Sequence, residues 1–184
     1  MRETQAQYKA RILRYVGSRD PLPLLAAAPA TLAALLARVP PGALDRRPAA
    51  GKWSIREIVA HLGDDELVGA YRVRLILSAP GTDIQAFDQD IWAVTGRYAT
   101  VDPSTALTLF RVLREANLAL WRSLTPAEWD LVGLHAERGP ESVRDIAAYY
   151  AGHDLNHFAQ IEAILADADN AGDVVEPRII AETW

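Results

Sequence analysis

The sequence predicts an all-α protein, a four-helix bundle formed by one domain. Four long segments carry apolar residues at the three-and-four spacing of helices, and recognisable helix starts precede them. No segment alternates apolar and polar residues for long enough to predict a strand. The chain has 184 residues, of which 50% are hydrophobic and 23% charged, and this is enough to bury one core.

Capping sequences mark five helix starts. Asp20-Pro21 and Asp102-Pro103 each place a side-chain acceptor before a proline, whose missing N–H costs nothing at the first helical position. Ser54 to Glu57 forms a capping box, Ser142 to Asp145 a weaker one, and Thr125-Pro126 opens a short turn. We therefore predict long helices over residues 21–38, 54–79, 103–124 and 141–167, and a short helix near 126–130.

These elements divide the chain into an N-terminal segment (1–19), the bundle (20–167) and a C-terminal tail (168–184). Residues 80–102, between the second and third long helices, are too many for a tight turn. We expect them to form either a crossover between distant helices or a lid.

Composition excludes several classes of protein. The chain has no cysteine, so it forms neither disulfides nor thiolate metal sites, and a cytoplasmic location is expected. The formal net charge is −5 and the basic residues are scattered, which argues against nucleic-acid binding and favours a small-molecule substrate. The uncharged run 21–37 contains three prolines and is shorter than the ~20 residues of a membrane span, so we interpret it as a buried helix.

Two of the four histidines share one face of the last helix. His153 and His157 continue the apolar stripe of Val143, Ile146 and Tyr150, and at i and i+4 their Cβ atoms lie ~5–6 Å apart. That spacing allows two imidazoles to bind one metal ion. Such a pair is also compatible with core histidines that hydrogen-bond to their neighbours.

His61 favours the metal interpretation. It lies about two turns into the second long helix, on the flank of the stripe formed by Ile55, Ile58 and Leu62. Three imidazoles in an apolar core are costly unless their lone pairs are satisfied, and a metal ion satisfies them. We therefore expect His61, His153 and His157 to hold one divalent ion.

Two stretches of the sequence resemble the DinB superfamily. The first is the run from Gly51 to Leu62, GKWSIREIVAHL, and the second is HDLNHFAQI from His153 to Ile161, preceded by Gly139 and Ser142. The resemblance covers roughly residues 20–167. It implies a four-helix bundle of up-down-down-up order, with a long crossover between helices 2 and 3.

The resemblance also implies a divalent ion, Ni²⁺ or Zn²⁺, held by His61, His153 and His157. Members of this family include transferases and isomerases that use the thiols mycothiol or bacillithiol, and members often form homodimers. The family name comes from damage-inducible expression and implies no contact with DNA.

Three neutral imidazoles leave the ion its full charge and an open coordination position, as in catalytic sites. We expect a metal-dependent transferase that joins a low-molecular-weight thiol to a small electrophile, or a hydrolase that uses metal-bound hydroxide. The alternative is a non-catalytic metal-binding protein of the stress response. Because the chain has no cysteine, any thiol must arrive as a co-substrate.

Several other residues are candidates for a role at the metal site. Asp65 is four residues after His61 and is a candidate base or support for a ligand, and Glu66 and Asp154 adjoin that group. Each of these carboxylates is equally compatible with a structural or exposed role. His135, between the third and fourth long helices, is either a substrate contact or a solvated loop residue, and we do not expect it to bind the metal.

Two further groups of residues each allow two interpretations. Phe87 to Trp92 mixes aromatic and acidic residues and predicts either a substrate wall or aromatics packed beneath a loop. Arg72, Arg111 and Arg114 are expected either to bind an anionic substrate or to cover the bundle surface.

Overall fold

The computed structural model describes residues 3–172, and the predicted tail beyond residue 172 lies outside that range. In chain order the described elements are α1 Gln5–Val16, α2 Pro21–Leu36, α3 Ile55–Ser78, β1 Asp83–Ile84, α4 Gln89–Thr95, a 3-10 turn Tyr98–Thr100, α5 Pro103–Ser123, α6 Pro126–Trp129, β2 Val132–His135, β3 Gly139–Ser142 and α7 Val143–Gly172. The four predicted long helices are α2, α3, α5 and α7, which confirms the fold class. The division into domains stays a prediction.

The five predicted helix starts are all capped as expected, and at the last of them Ser142 and Asp145 exchange hydrogen bonds between side chain and backbone. Asp20 and Asp102 accept backbone N–H groups of α2 and α5, and Ser54 and Thr125 form capping boxes with Glu57 and Glu128. The helix α7 begins at Val143 rather than residue 141, because the preceding four residues belong to β3. It also continues past residue 167, since no proline or glycine interrupts residues 153–171.

Around the bundle, the four long helices do not follow one another in their sequence order. Both α2 and α3 pack against α5 and α7, so α2 and α3 lie across the bundle from each other. The side chain of Arg56 reaches Val101 while Glu66 meets Arg114, so α3 and α5 are parallel. His61 meets His157 while Gly69 faces Tyr150, so α3 and α7 are antiparallel.

The first long helix, α2, runs in the same direction as α7. Leu25 shares one apolar cluster with Ala151, and Leu32 shares the next cluster with Ile161. The four directions are therefore up, down, down and up. None of the described helices combines the length and apolar character that crossing a membrane requires.

The crossover, residues 80–102, exists because α3 and α5 are parallel neighbours. The chain leaves α3 beside β2, where the N–H of Gly81 donates to the carbonyl of Val132, and returns to Val101 beside Arg56 at the start of α3. The predicted crossover is confirmed, but it connects adjacent rather than distant helices. The crossover runs along the bundle axis, from the end of α3 back to the level at which α3 starts.

A small sheet that the sequence did not predict closes one end of the bundle. β1 pairs in parallel with β2, placing Ile84 beside His135, and β2 pairs antiparallel with β3, placing His135 beside Gly139. Strands of two to four residues are too short to show an alternating pattern.

The N-terminal segment also contains a helix that was not predicted. Thr4 and Gln7 form a capping box at the start of α1, and Ile12 and Val16 are buried against the bundle. α1 packs on α7 at Gly152, where an added Cβ would overlap the backbone of Ile12. The Thr4–Gln7 capping box is a local feature of the sequence from which this helix could have been predicted.

Gly152→Ala is expected to destabilise the metal-free protein by about 1–3 kcal/mol. The added methyl group would press against the backbone of Ile12, which cannot move aside as a flexible side chain can. Gly63→Ala is the matched control, since its Cβ would meet Ala106 and Leu109 at 3.4 Å, which is ordinary van der Waals contact. There the better helix propensity of alanine should be neutral or stabilise by up to about 1 kcal/mol. Urea unfolding followed by circular dichroism measures both changes. Equal effects of the two substitutions would contradict this account of the α1–α7 contact.

The core has a polar layer at mid-height. One apolar cluster contains Leu25, Val73 and Trp121, and the other contains Leu32, Ile58 and Phe110. Between them, α3, α5 and α7 contribute a layer of buried polar residues: His61, Asp65, Glu66, Arg114, Asn117, His153, Asp154 and His157. Buried polar groups need partners, so this layer is where a function is to be sought.

Candidate metal centre

Three histidines meet in this polar layer. His153 and His157 lie one turn apart on α7, and the antiparallel α3 places His61 opposite both. All three side chains are buried, and one potential ligand atom of each lies within 4.8 Å of the other two. Nε2 of His153 is 3.2 Å from Nε2 of His61 and 3.1 Å from Nε2 of His157.

Hydrogen bonds within the group cannot satisfy this arrangement. A ring nitrogen either carries one proton or has one lone pair, so Nε2 of His153 can donate to or accept from only one of the two facing nitrogens. The other facing nitrogen is then left without a well-directed hydrogen bond to His153. A cation between the three nitrogens satisfies all of them.

The spacing also fits a metal ion. Two nitrogens bound at ~2.0–2.1 Å to one tetrahedral ion lie about 3.3 Å apart, close to the 3.1 and 3.2 Å observed. Buried Nδ1 of His61 has no hydrogen-bond partner. The donor set, three neutral nitrogens in a dry core, suits a divalent transition metal.

Burial keeps the rings neutral. It lowers the pKa of His61 and of His157 well below the usual value, and it lowers the pKa of His153 to about 3. The neighbouring histidines lower the pKa of His61 further. Neutral imidazole is the form that binds metal, so the protein presents its ligands without a proton to displace.

Polar groups lie behind two of the rings, and one of them is hydrogen-bonded to its ring. Oε1 of Gln160 lies 2.9 Å from Nδ1 of His157, which places the proton on Nδ1 and directs the lone pair of Nε2 inward. Oδ2 of Asp65 lies 3.3 Å from Nδ1 of His153, although the N–H direction is not aligned for a hydrogen bond. A hydrogen-bonded partner such as Gln160 raises the basicity of the ligand and fixes the ring.

Two aromatic side chains enclose the histidines. The Trp53 ring is 4.7 Å from that of His61 and lies nearly parallel to that of His157. Tyr98, from the crossover, meets Trp53 edge-on, and its hydroxyl donates to Asp64 at 2.7 Å. Sequence reasoning gave no role to Trp53, Tyr98 or Gln160. Only the spacing of Gln160 from His157, one helical turn, could have indicated a contact.

Asp65 is buried beside the group. Burial raises its pKa to about 7, although the positive charge of Arg72 acts in the opposite direction. A carboxyl with a pKa near neutrality suits proton transfer. The role of Asp65 as a base or as a support for a ligand stays a prediction.

Glu66 and Asp154 do not face the histidines. Both bind Arg114, whose guanidinium donates to Oε2 of Glu66 and Oδ2 of Asp154 at 2.7 Å each. Asn117 donates to the second oxygen of Glu66. The prediction that Arg114 binds substrate or covers the surface is therefore wrong, because Arg114 is fully buried and joins α3, α5 and α7.

His135 and Arg111 lie outside the group. His135 is on β2 rather than in a loop, and its buried Nδ1 accepts the N–H groups of Glu137 and Arg138. Burial lowers its pKa to about 4. Arg111 is exposed on α5 and pairs with Glu115, as expected of a surface residue.

The aromatic residues of the crossover line a separate space. Phe87 and Trp92 pack against each other and border a cavity of about 650 Å³ between the crossover and α3. Arg72 also borders this cavity, but the three histidines do not. The aromatic residues of the crossover therefore border a space other than the metal centre, and their contact with a substrate stays a prediction.

The comparisons with known proteins agree with this geometry. A relative from Bacillus licheniformis, named as a candidate metal-dependent hydrolase, is 32% identical over 121 residues, which cover 65% of this chain and 69% of the relative. A similarly named relative from Oceanobacillus iheyensis is 26% identical over 126 residues, covering 68% of this chain and 73% of its own.

Among solved structures, YfiT of Bacillus subtilis is described as a probable metal-dependent hydrolase with an unusual four-helix bundle topology. It is 24% identical, covers 92% of this chain and 93% of its own, and aligns with a TM-score of 0.75, which shows the same fold. The sequence model of the DinB superfamily matches residues 24–161, and these include all three histidines. This chain therefore belongs to the DinB superfamily.

Proposed function

We propose that this protein is a hydrolase that depends on one divalent ion held by His61, His153 and His157. The observation that carries the proposal is the convergence of three buried Nε2 atoms, which hydrogen bonding alone does not satisfy. The names of the relatives support the reaction class. Imidazole nitrogens suit both Ni²⁺ and Zn²⁺, and these two ions are the ones to test first.

When bound, an ion of this kind acts as a Lewis acid that lowers the pKa of a water or thiol at its open position. Gln160 holds the ring of His157, and Asp65 stands behind the ring of His153. Trp53 and Tyr98 exclude water from one side of the group, which strengthens electrostatic interactions there. We infer that Asp65 holds a proton close to the ligands.

A reaction screen tests the class. Protein purified without a nickel column would be loaded with Zn²⁺ or Ni²⁺ and assayed against chromogenic esters and anilides, with metal-free protein as the control. Metal-dependent release of the acid and the alcohol or amine, without added thiol, would support the hydrolase. Turnover that requires a thiol and yields a thiol adduct would instead support the transferase predicted from the sequence. A fully loaded protein without any turnover would favour the non-catalytic alternative.

Asp65→Asn is expected to lower the metal-dependent rate by about 10–100-fold, because a group that supports a ligand or accepts a proton contributes on that scale. Asp167→Asn, which removes an exposed carboxylate from the same helix as two of the ligands, is the matched control and should leave the rate unchanged. Metal content is measured in parallel. An Asp65→Asn variant with full metal content and full rate would exclude a role for this residue.

We also propose that the protein acts on a small molecule in the cytoplasm, and as a homodimer. The cytoplasmic location rests on the absence of cysteine, and the dimer on the family resemblance. Sedimentation that shows only a 20 kDa species at micromolar concentration would exclude the dimer.

A further inference from the structure

The cavity beside the crossover lies apart from the histidine group. Its volume is about 650 Å³, within the ~300–1,000 Å³ of small-molecule sites. Apolar side chains form most of its wall, among them Leu67, Leu75, Phe87 and Trp92. An apolar molecule of drug-like size fits such a space.

One cation borders this apolar wall without an anionic partner. Arg72 is 3% exposed, and its Nη2 donates only to the carbonyl of Gln85, at 3.2 Å. Its Nε is buried without a hydrogen bond, and its guanidinium carbon is 5.6 Å from the ring centre of Phe87. Within residues 3–172, no carboxylate lies within 4.0 Å of this guanidinium.

Arg114, which is buried, and Arg138, which is half-buried, differ from Arg72. Arg114 binds two carboxylates, and Arg138 pairs with Glu141 at 2.7 Å. An unpaired buried charge costs far more than a paired one, so proteins rarely keep one without use. A ligand carboxylate would supply the partner that Arg72 lacks.

Two acidic residues lie near the cavity or near Arg72 without forming an ion pair with this arginine. Asp88 borders it, but its Oδ1 accepts the N–H groups of Asp90 and Ile91 at the start of α4. Asp65 interacts electrostatically with Arg72, but its carboxylate lies more than 4.0 Å from the guanidinium. Neither carboxylate pairs with Arg72.

We propose that this cavity binds an amphipathic organic anion, a small molecule whose carboxylate pairs with Arg72 and whose apolar body contacts the side chains of the crossover and α3. A planar guanidinium matches a carboxylate in geometry, and Phe87 and Trp92 offer aromatic contact to the body. This inference does not rest on the metal or on the proposed hydrolysis.

Octanoate is a suitable probe, and 1-octanol is its neutral counterpart. Calorimetric titration of the full chain should show octanoate binding that Arg72→Gln weakens about tenfold or more, whereas octanol binding should not change. Arg111→Gln removes an exposed arginine and should bind octanoate as the unchanged protein does. Removing metal with a chelator should have no effect, which separates this site from the metal centre.

A second pair of variants keeps the test decisive if Arg72→Gln fails to fold. Leu67 borders the cavity and is 49% exposed, so its replacement should not disturb the core. Leu67→Glu should weaken octanoate binding more than the similarly sized Leu67→Gln, because only the glutamate repels the carboxylate. The proposal is overturned if millimolar octanoate does not bind, if Arg72→Gln binds it equally well, or if the two Leu67 variants bind it equally.

Discussion

His153→Ala is expected to weaken Zn²⁺ or Ni²⁺ binding by more than about 100-fold. Loss of a group that merely supports a ligand costs ~10–100-fold, and His153 is the central member of the group, with both other Nε2 atoms within 3.2 Å. Competition with a chromophoric chelator measures the affinity, and elemental analysis of protein purified without a nickel column measures the occupancy.

Metal should also stabilise the fold, because the unfolded chain does not present three aligned nitrogens. At a free metal concentration ~100 times Kd, binding adds about 2.7 kcal/mol, or roughly 5–10 °C in Tm for a chain of this size. We expect His61→Ala, His153→Ala and His157→Ala each to lose this increase. His135→Ala is the control and should keep it, since His135 lies outside the group. Full occupancy and full stabilisation in His61→Ala would show that the three histidines do not form one site.

Arg114→Met is expected to destabilise the protein by about 3–5 kcal/mol. The substitution leaves Glu66 and Asp154 buried without their cation, and breaking a buried ion pair on one side costs this much. Burial already raises the pKa of Asp154 to about 6, although Arg114 lowers it, so the network tolerates little further loss of positive charge.

Two controls separate this network from packing in general. Arg111→Met removes an exposed arginine and should cost no more than about 0.5 kcal/mol. Adding Glu66→Gln and Asp154→Asn to Arg114→Met should recover part of the stability, because no buried charge then remains unpaired. Urea unfolding of metal-free protein measures all three, and a triple variant less stable than Arg114→Met alone would contradict the explanation.

The metal site could be anticipated from the sequence because its main signals are local. His153 and His157 are one turn apart, and helical periodicity alone places them on one face. The position of His61 opposite these two histidines depends on the antiparallel packing of α3 and α7. The spacing of apolar residues within each helix only suggests this packing. Asp65 was a candidate support because of its position one turn after His61. Its approach to His153 was not predicted, since these two residues are 88 positions apart.

Local chemistry in the sequence determined the four long helices and their starts, since capping residues and apolar periodicity act within a few residues of one another. The tertiary structure alone decided what the charged residues do. Arg72 and Arg114 look alike in the sequence. Packing places Arg114 beside two carboxylates, whereas Arg72 borders a mostly apolar cavity and has no carboxylate within 4.0 Å among the described residues. The energy of a buried charge depends on neighbours from distant helices, and these are defined only when the helices pack.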